Sequence, residues 1–100
     1  MEKNNSSIAF QVLALGDVSS KELLQIVDTV IDYVKSQIEE VHVGPFETTL
    51  VGNFNHLMDV VTQAIELAGT LNDQIFVNMK VNYKGAGEVL GIDEKINKHH

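Results

Sequence analysis

The chain begins with a short segment whose apolar residues alternate in the manner of a β-strand. Side chains from Ser7 to Leu15 would point in turn to opposite faces of a sheet. Gly16-Asp17 interrupts this pattern. An apolar stripe at helical spacing follows, and Ser19 stands three residues before Glu22, which is the spacing of a capping box. These features predict a strand followed by a helix of roughly five turns.

Two short strand-like segments flank the only proline of the chain. Glu39–Val43 and Phe46–Val51 lie on either side of Gly44-Pro45. Proline fixes φ and glycine permits a tight turn, so the two segments are predicted to form an antiparallel hairpin around this joint. The joint has two interpretations. It either fixes the hairpin alone, or it also holds the threonine-bearing strand in a preorganised position.

A second amphipathic helix and one long strand complete the pattern. Asn53 or Asn55 can cap the start of the helix, and Gly69 is its predicted C-terminal stop. The segment from Gln74 to Tyr83 alternates apolar and polar residues, which predicts the last strand.

The element order β-α-β-β-α-β predicts an α+β fold, the ferredoxin-like sandwich, with a four-stranded antiparallel sheet and two helices on one face. Its usual strand order, 4-1-3-2, places the first and third strands at the centre. Residues 8–84 are expected to form this domain. A flexible N-terminal tail (1–7) precedes it, and a C-terminal tail (85–100) that can form one short helix follows it. His99 and His100 are compatible with a purification tag and are given no function.

The other face of the predicted sheet has no cover within the chain. The first and last strands place on it Ala9, Gln11, Leu13, Leu15, Phe76, Asn78 and Lys80. The third strand adds either Glu47, Thr49 and Val51 or Phe46, Thr48 and Leu50. The first of these sets is favoured, because Leu50 and Phe46 are typical core residues. Such an apolar face is rarely exposed in a monomer, so a homodimer or homotetramer is predicted.

Three polar residues occupy the middle of neighbouring strands on this open face: Gln11, Thr49 and Asn78. One interpretation is that they form hydrogen bonds across the interface between subunits or stay exposed to solvent. The other is that they line a small pocket between the sheet and a partner subunit, where a few polar groups orient a mainly apolar ligand.

Composition excludes several functional classes. The chain has 7 basic and 14 acidic residues and a formal net charge of −7, which disfavours nucleic-acid binding. It has no cysteine, so disulfides and thiolate metal sites are excluded. No segment resembles a signal peptide or a membrane span, and a cytoplasmic location is expected.

Motifs for catalysis or metal binding are likewise missing from the sequence. His42 and His56 have no acidic pair or second histidine at metal-ligand spacing and are interpreted as surface residues. The adjacent threonines Thr48 and Thr49 lack an obvious base. No nucleophile-elbow, zinc-protease or phosphate-loop pattern occurs. The sequence therefore favours a protein that is not an enzyme and needs no metal or cofactor.

The segment VGPFETTLVGNFNHLMDVVTQAIELA resembles the signature of the small thiamine-binding (YkoF/YqgV-like) proteins, most specifically at Pro45-Phe46-Glu47-Thr48. The resemblance covers roughly Ile8 to Tyr83. It implies a ferredoxin-like fold, subunits that pair through their sheets and often form tetramers, and binding of thiamine or its hydroxymethylpyrimidine part by some members. Family members often carry a glutamate where this chain has Val51, so Glu47 is the nearest carboxylate for a cationic ligand.

The resemblance and the polar mid-strand residues together predict a non-catalytic pocket for thiamine or a related pyrimidine. Its expected ligand-binding residues are Gln11, Glu47, Thr48, Thr49 and Asn78. Thr48 and Thr49 point to opposite faces of a regular strand, so one of the two is expected to be structural. The alternative is an ACT-like structural or regulatory oligomerisation module. A ferredoxin-like monooxygenase of the haem-degrading type is disfavoured, because the chain has no tryptophan.

Overall fold

A four-stranded antiparallel sheet and two helices make up the fold in a computed structural model that describes residues 4–86. The elements are β1 (Ser6–Ala14), α1 (Ser20–Gln37), β2 (Glu40–Val43), β3 (Thr48–Gly52), α2 (Phe54–Leu71) and β4 (Ile75–Tyr83). The sheet order is β2-β3-β1-β4, which confirms the predicted ferredoxin-like sandwich with β1 and β3 at its centre. The predicted C-terminal helix, His99 and His100 lie outside the described residues.

One face of the sheet packs against both helices and forms the core. Ile8 and Phe10 of β1 are buried there, together with Leu50 of β3. From the helices the core receives Ile26, Val30, Val34, Leu57, Val60, Val61, Ala64 and Ala68. The side chains of Phe10 and Val12 therefore face the helices, as predicted from the alternation in β1. The strand begins at Ser6, two residues before the predicted start of the domain, and Ser6 and Ser7 are both buried.

The start of α1 is held by the predicted serine cap. The backbone N–H of Glu22 donates to Ser19 Oγ at 3.1 Å, and the Ser19 hydroxyl donates to Glu22 Oε1 at 3.0 Å. The glutamate side chain thus bonds to the serine hydroxyl of the cap. Just before the cap, Gly16 adopts φ +94°, in the left-handed region that favours glycine, and so turns the chain from β1 toward α1.

The start of α2 is held by Asn53, which settles the choice between the two predicted caps. Asn53 Oδ1 accepts from the backbone N–H groups of Asn55 at 3.1 Å and His56 at 3.3 Å. A third N–H of the first turn, that of Phe54, donates to Asn5 Oδ1 at 2.9 Å. The segment before β1 therefore also caps α2.

Gly69 does not end α2, so that prediction is wrong. The helix continues to Leu71 and ends at Asn72, whose backbone N–H donates to the carbonyl of Ala68. The side chain of Asn72 also donates to the Gln74 carbonyl at 2.8 Å, which secures the turn into β4. Gly69 lacks the positive φ of a glycine stop, because Asn72 ends the helix in its place.

The capping arrangement of α2 predicts a clear difference between two asparagines. Asn53→Ala should lower the free energy of unfolding by about 1 kcal/mol, because it removes the acceptor of two N–H groups. Asn55→Ala should be neutral or slightly stabilising, since alanine is the better helix former. Urea denaturation of both variants measures the difference, and equal losses would contradict the assignment of Asn53 as the cap.

Candidate functional site

Four of the five predicted site residues lie together on the open face of the sheet. Gln11 of β1 is directly opposite Asn78 of β4, and Asn78 Nδ2 donates to Gln11 Oε1 at 3.4 Å. One row further along, Ala9 of β1 lies between Thr49 of β3 and Lys80 of β4. Because Ala9 is small, the surface between those two longer side chains forms a shallow depression.

Glu47, the fourth residue of this group, forms an ion pair across the sheet. Lys80 Nζ lies 3.2 Å from both carboxylate oxygens of Glu47. Lys80 is mostly exposed and Glu47 is partly covered, so the pair is a surface interaction of modest strength. The sequence predicted Glu47 as a carboxylate for a cationic ligand, but within this chain its charge already has a partner.

Thr48 is separated from the other four predicted residues by the alternation of β3. It is opposite Phe10, on the face covered by the helices, and is only 6% exposed. Thr49 is opposite Ala9 on the open face. The predicted divergence of the two threonines is therefore confirmed, and a single ligand reaches both only around the edge of the strand.

The hairpin that joins β2 to β3 has a tight closing contact. The Gly44 N–H donates to the carbonyl of Glu47 at 2.9 Å, and a Cβ atom on Gly44 would lie 3.0 Å from that oxygen. Pro45 and Phe46 form the tip. Phe46 is 79% exposed, so its predicted place in the core is wrong. The physical reason is that β3 begins only at Thr48, which leaves Phe46 in the turn.

A difference in strand length creates a cavity beside this hairpin. β1 has nine residues and β3 has five, and their pairing ends at Phe10 opposite Thr48. Beyond this point the hairpin tip and α1 enclose a cavity of about 200 Å³ next to Val12. The wall contributed by α1 is apolar and includes Leu23, Val27 and Ile31. The cavity therefore lies between an apolar wall and the part of β1 that is not paired with β3.

A second, more open hollow of about 360 Å³ lies on the other side of the same hairpin. Thr49 and His42 line it from the open face of the sheet. The hairpin residues 44 to 47 border both spaces. Glu47 thus lies where a ligand in the inner cavity could extend onto the open face.

The five predicted residues therefore divide between the two spaces. Gln11, Glu47 and Thr48 line the inner cavity, and Thr49 lines the outer hollow. Asn78 lines neither, but its Nδ2 donates to Gln11 Oε1 at 3.4 Å. Sequence reasoning placed Lys80 on the open face without giving it a role in the site. It also missed that α1 forms one wall of the cavity. The available indication was that the apolar segment of β1 is longer than that of β3.

The position of Val51 bears little on this cavity. Val51 pairs with Ser7 of β1 and Glu40 of β2, at the end of β3 far from the hairpin tip. A glutamate in its place would lie on the open face three residues along the strand from Thr48. A glutamate at this position would therefore lie at the far end of the open face, outside the lining of the cavity.

The histidines make local contacts. His42 Nε2 lies 3.0 Å from Glu40 Oε2, and His56 Nε2 lies 3.0 Å from the carbonyl oxygen of Gln37. Within residues 4–86, no three potential metal ligands cluster. Over the same range, neither helix has the length and apolar character needed to cross a membrane.

Two comparisons with known proteins, one with family models and one with individual relatives, each give a match over most of the chain. The model of the family described as thiamine-binding protein matches residues 8–100. A UPF0045 protein of Clostridium perfringens is 31% identical in an alignment 98 residues long, and the alignment covers 93% of this chain and 95% of the relative.

Solved structures show the same fold. A protein of Streptococcus pneumoniae is 42% identical, with a TM-score of 0.77 over 93% of this chain and 98% of the other. A Thermotoga maritima protein, described as a candidate for thiamine biosynthesis or salvage, is 24% identical. Its TM-score is 0.80 over 96% of this chain and 99% of the other. A domain of unknown function from Bacillus cereus is 26% identical, with a TM-score of 0.81 over 97% and 91% of the two chains.

The hairpin geometry predicts that Pro45 affects ligand affinity more than stability. Pro45→Ala should change the free energy of unfolding by only about 1 kcal/mol, through the entropy of the unfolded chain. Ligand affinity should fall by more than this change, because Pro45 lines both spaces. Asn53→Ala is a control of similar stability loss at the opposite end of β3. Unchanged affinity in Pro45→Ala would favour a purely structural joint.

Proposed function

Because the chain belongs to the thiamine-binding protein family, we propose that it binds thiamine or a related hydroxymethylpyrimidine without catalysing a reaction. The observation that carries this proposal is the cavity beside the hairpin. Three of the predicted residues, Gln11, Glu47 and Thr48, are among those that line it. An apolar cavity with a few converging polar groups is the usual form of a small-molecule site.

The size of the cavity favours a single aromatic ring over a whole drug-sized molecule. Pockets for drug-sized ligands measure about 300–1,000 Å³, whereas this cavity measures about 200 Å³. The pyrimidine ring would occupy the inner cavity against Val27 and Ile31. The thiazolium ring of thiamine would then extend past Glu47 toward the outer hollow.

The polar groups suit an aminopyrimidine. Such a ring has ring-nitrogen acceptors and an amino donor, and a threonine hydroxyl or a glutamine amide can serve as either partner. Thr48 lines the cavity on the helix face, and Gln11 lines it from the open face, where it accepts a hydrogen bond from Asn78. This division gives Thr48 a role in contacting the ligand and leaves Thr49 for the outer hollow.

The charge of Glu47 is the element that would distinguish whole thiamine from the neutral pyrimidine. Thiamine carries a permanent positive charge on its thiazolium ring, and a carboxylate nearby would attract it. Lys80 opposes this effect, since it neutralises Glu47 in the ion pair. The balance between these two residues would therefore set the preference for the charged ligand.

Assembly through the open face forms the second part of the proposal. Leu15 and Phe76 on this face are exposed, Phe76 by 48%, and Leu13 is half-buried beside them. Pairing of two subunits through these residues would remove apolar surface from water and cover the outer hollow. The protein would then act as a homodimer or homotetramer with a ligand at each subunit interface.

Calorimetric titration with thiamine and with hydroxymethylpyrimidine tests the binding function and the role of charge together. Glu47→Gln should weaken thiamine binding by up to about fivefold, the range expected for one partly exposed charge interaction. The neutral pyrimidine should bind this variant almost as it binds the parent. Lys80→Met should act in the opposite direction and strengthen thiamine binding, because it frees the carboxylate.

Each alternative outcome has a definite meaning. An equal loss for both ligands in Glu47→Gln would argue against the charge role. If the parent protein binds neither ligand, the binding function is wrong. The structural oligomerisation module then becomes the better description.

The role of the open face predicts that Leu13→Asp weakens association of subunits, because a charge without a partner is costly to bury in an interface. Leu24→Asp is the matched control, since Leu24 lies on α1 and is already 62% exposed. Sedimentation velocity at micromolar concentration measures both variants. A monomeric parent protein, or equal effects of the two substitutions, would contradict assembly through this face.

A further inference from the structure

The direction of each backbone group in β1 follows from two hydrogen bonds at its ends. The Leu15 N–H donates to the Gln74 carbonyl at 3.1 Å, and the Lys84 N–H donates to the Asn5 carbonyl at 2.9 Å. Both pairs fit the antiparallel register of β1 with β4. In such a ladder the N–H and C=O of one residue point to the same side, and successive residues alternate. Odd-numbered residues of β1 therefore bond to β4.

The even-numbered residues point to the other side, where β3 covers only part of the strand. Ile8 and Phe10 face Leu50 and Thr48 of β3. Val12 points the same way, but the pairing of β1 with β3 has already ended at Phe10. The N–H and C=O of Val12 are thus directed toward the cavity that Val12 itself lines.

Val12 is a buried residue, and its N–H and C=O have no hydrogen-bond partner among residues 4–86. No loop or turn of that range forms a backbone hydrogen bond with them. Val12 is only 8% exposed, and the cavity is the space from which its N–H and C=O can be reached. Buried peptide groups in folded proteins are almost always paired with protein, ordered water or ligand, because an unpaired group loses its hydration without compensation.

We propose that the main chain of Val12 recognises the ligand through its aminopyrimidine edge. The Val12 N–H would donate to a ring nitrogen, and the Val12 carbonyl would accept from the neighbouring amino group. An aminopyrimidine carries the ring-nitrogen acceptor and the amino donor side by side. A neighbouring β-strand would offer Val12 the same pair of groups, a C=O and an N–H. The site would therefore select heterocycles with a ring nitrogen next to an exocyclic amino group. This inference rests on the proposed function and specifies how the ligand is recognised.

The surroundings of Val12 favour a ring over an additional strand of peptide. Pro45 and Phe46 line the cavity, and the register of β1 with β3 would bring Phe46 opposite Val12 if the pairing continued, so the hairpin itself occupies the place of a further strand. Leu23 and Val27 of α1 form the apolar wall on the helix side. A flat aromatic ring fills such a space and presents one polar edge, whereas an extended peptide would have to pass through the hairpin.

Nuclear magnetic resonance of the amide protons tests this directly in the unmodified protein. Titration with hydroxymethylpyrimidine should move the Val12 amide proton downfield. The adjacent Leu13 amide is the internal control, because its N–H is directed to β4 opposite Phe76. In hydrogen exchange, the ratio of the Val12 rate to the Leu13 rate should fall by about tenfold on saturation, the scale of one added hydrogen bond. A general stabilisation of the fold by the ligand slows both exchange rates equally and therefore leaves this ratio unchanged.

A ligand analogue without the amino group tests the other half of the contact. It should bind the parent protein about tenfold more weakly, because the Val12 carbonyl is then left without a donor. Thr48→Val separates main-chain from side-chain recognition. The preference for the amino compound should persist in Thr48→Val if Val12 accepts from the amino group, and should disappear if Thr48 does.

The outcomes distinguish failure of this inference from failure of the binding function. Binding of hydroxymethylpyrimidine with an unchanged Val12 amide would overturn the inference while the binding function stands. Loss of the amino preference in Thr48→Val would overturn it as well. Absence of binding by calorimetry would overturn both.

Discussion

The central strand β1 requires hydrogen-bond partners on both of its sides, and β3 supplies them only as far as Phe10. This shortage follows from the unequal lengths of the two strands, since β4 pairs with β1 along its whole length. The early end of β3 leaves room for the hairpin tip, and α1 closes the space from the helix side. The cavity, its apolar wall and its unpaired backbone groups all result from this one mismatch.

The two faces of the sheet contribute different groups to the candidate site. The helix face contributes Thr48 and the apolar wall, whereas the open face contributes Gln11, Asn78 and the Glu47–Lys80 ion pair. A strand cannot place two consecutive side chains on one face. The hairpin overcomes this limit, because its residues border the spaces on both sides of the sheet. A site of this kind needs the hairpin to hold one fixed position.

Periodicity was sufficient to predict the elements and the faces of β1, because burial of an apolar face imposes those patterns directly. The sheet order followed from the usual strand order of a ferredoxin-like sandwich. The features that periodicity missed depend on which of several neighbouring residues starts a strand or ends a helix. Phe46 has the residue type of a core position but lies in the turn, and Gly69 has the residue type of a helix stop while Asn72 ends the helix. Side-chain alternation gave no sign of the ion pair between Glu47 and Lys80, which depends on how two long side chains meet across β1.

A contact made by the main chain of Val12 would be independent of the side chain at that position. Any residue except proline supplies the same N–H and C=O, so substitutions that keep the strand extended would preserve the contact. Recognition of this kind constrains the length of β3 and the position of the hairpin more than the identity of any lining residue. Relatives could then differ at many of the lining positions and still bind the same ring, with their ligand preference encoded in strand length.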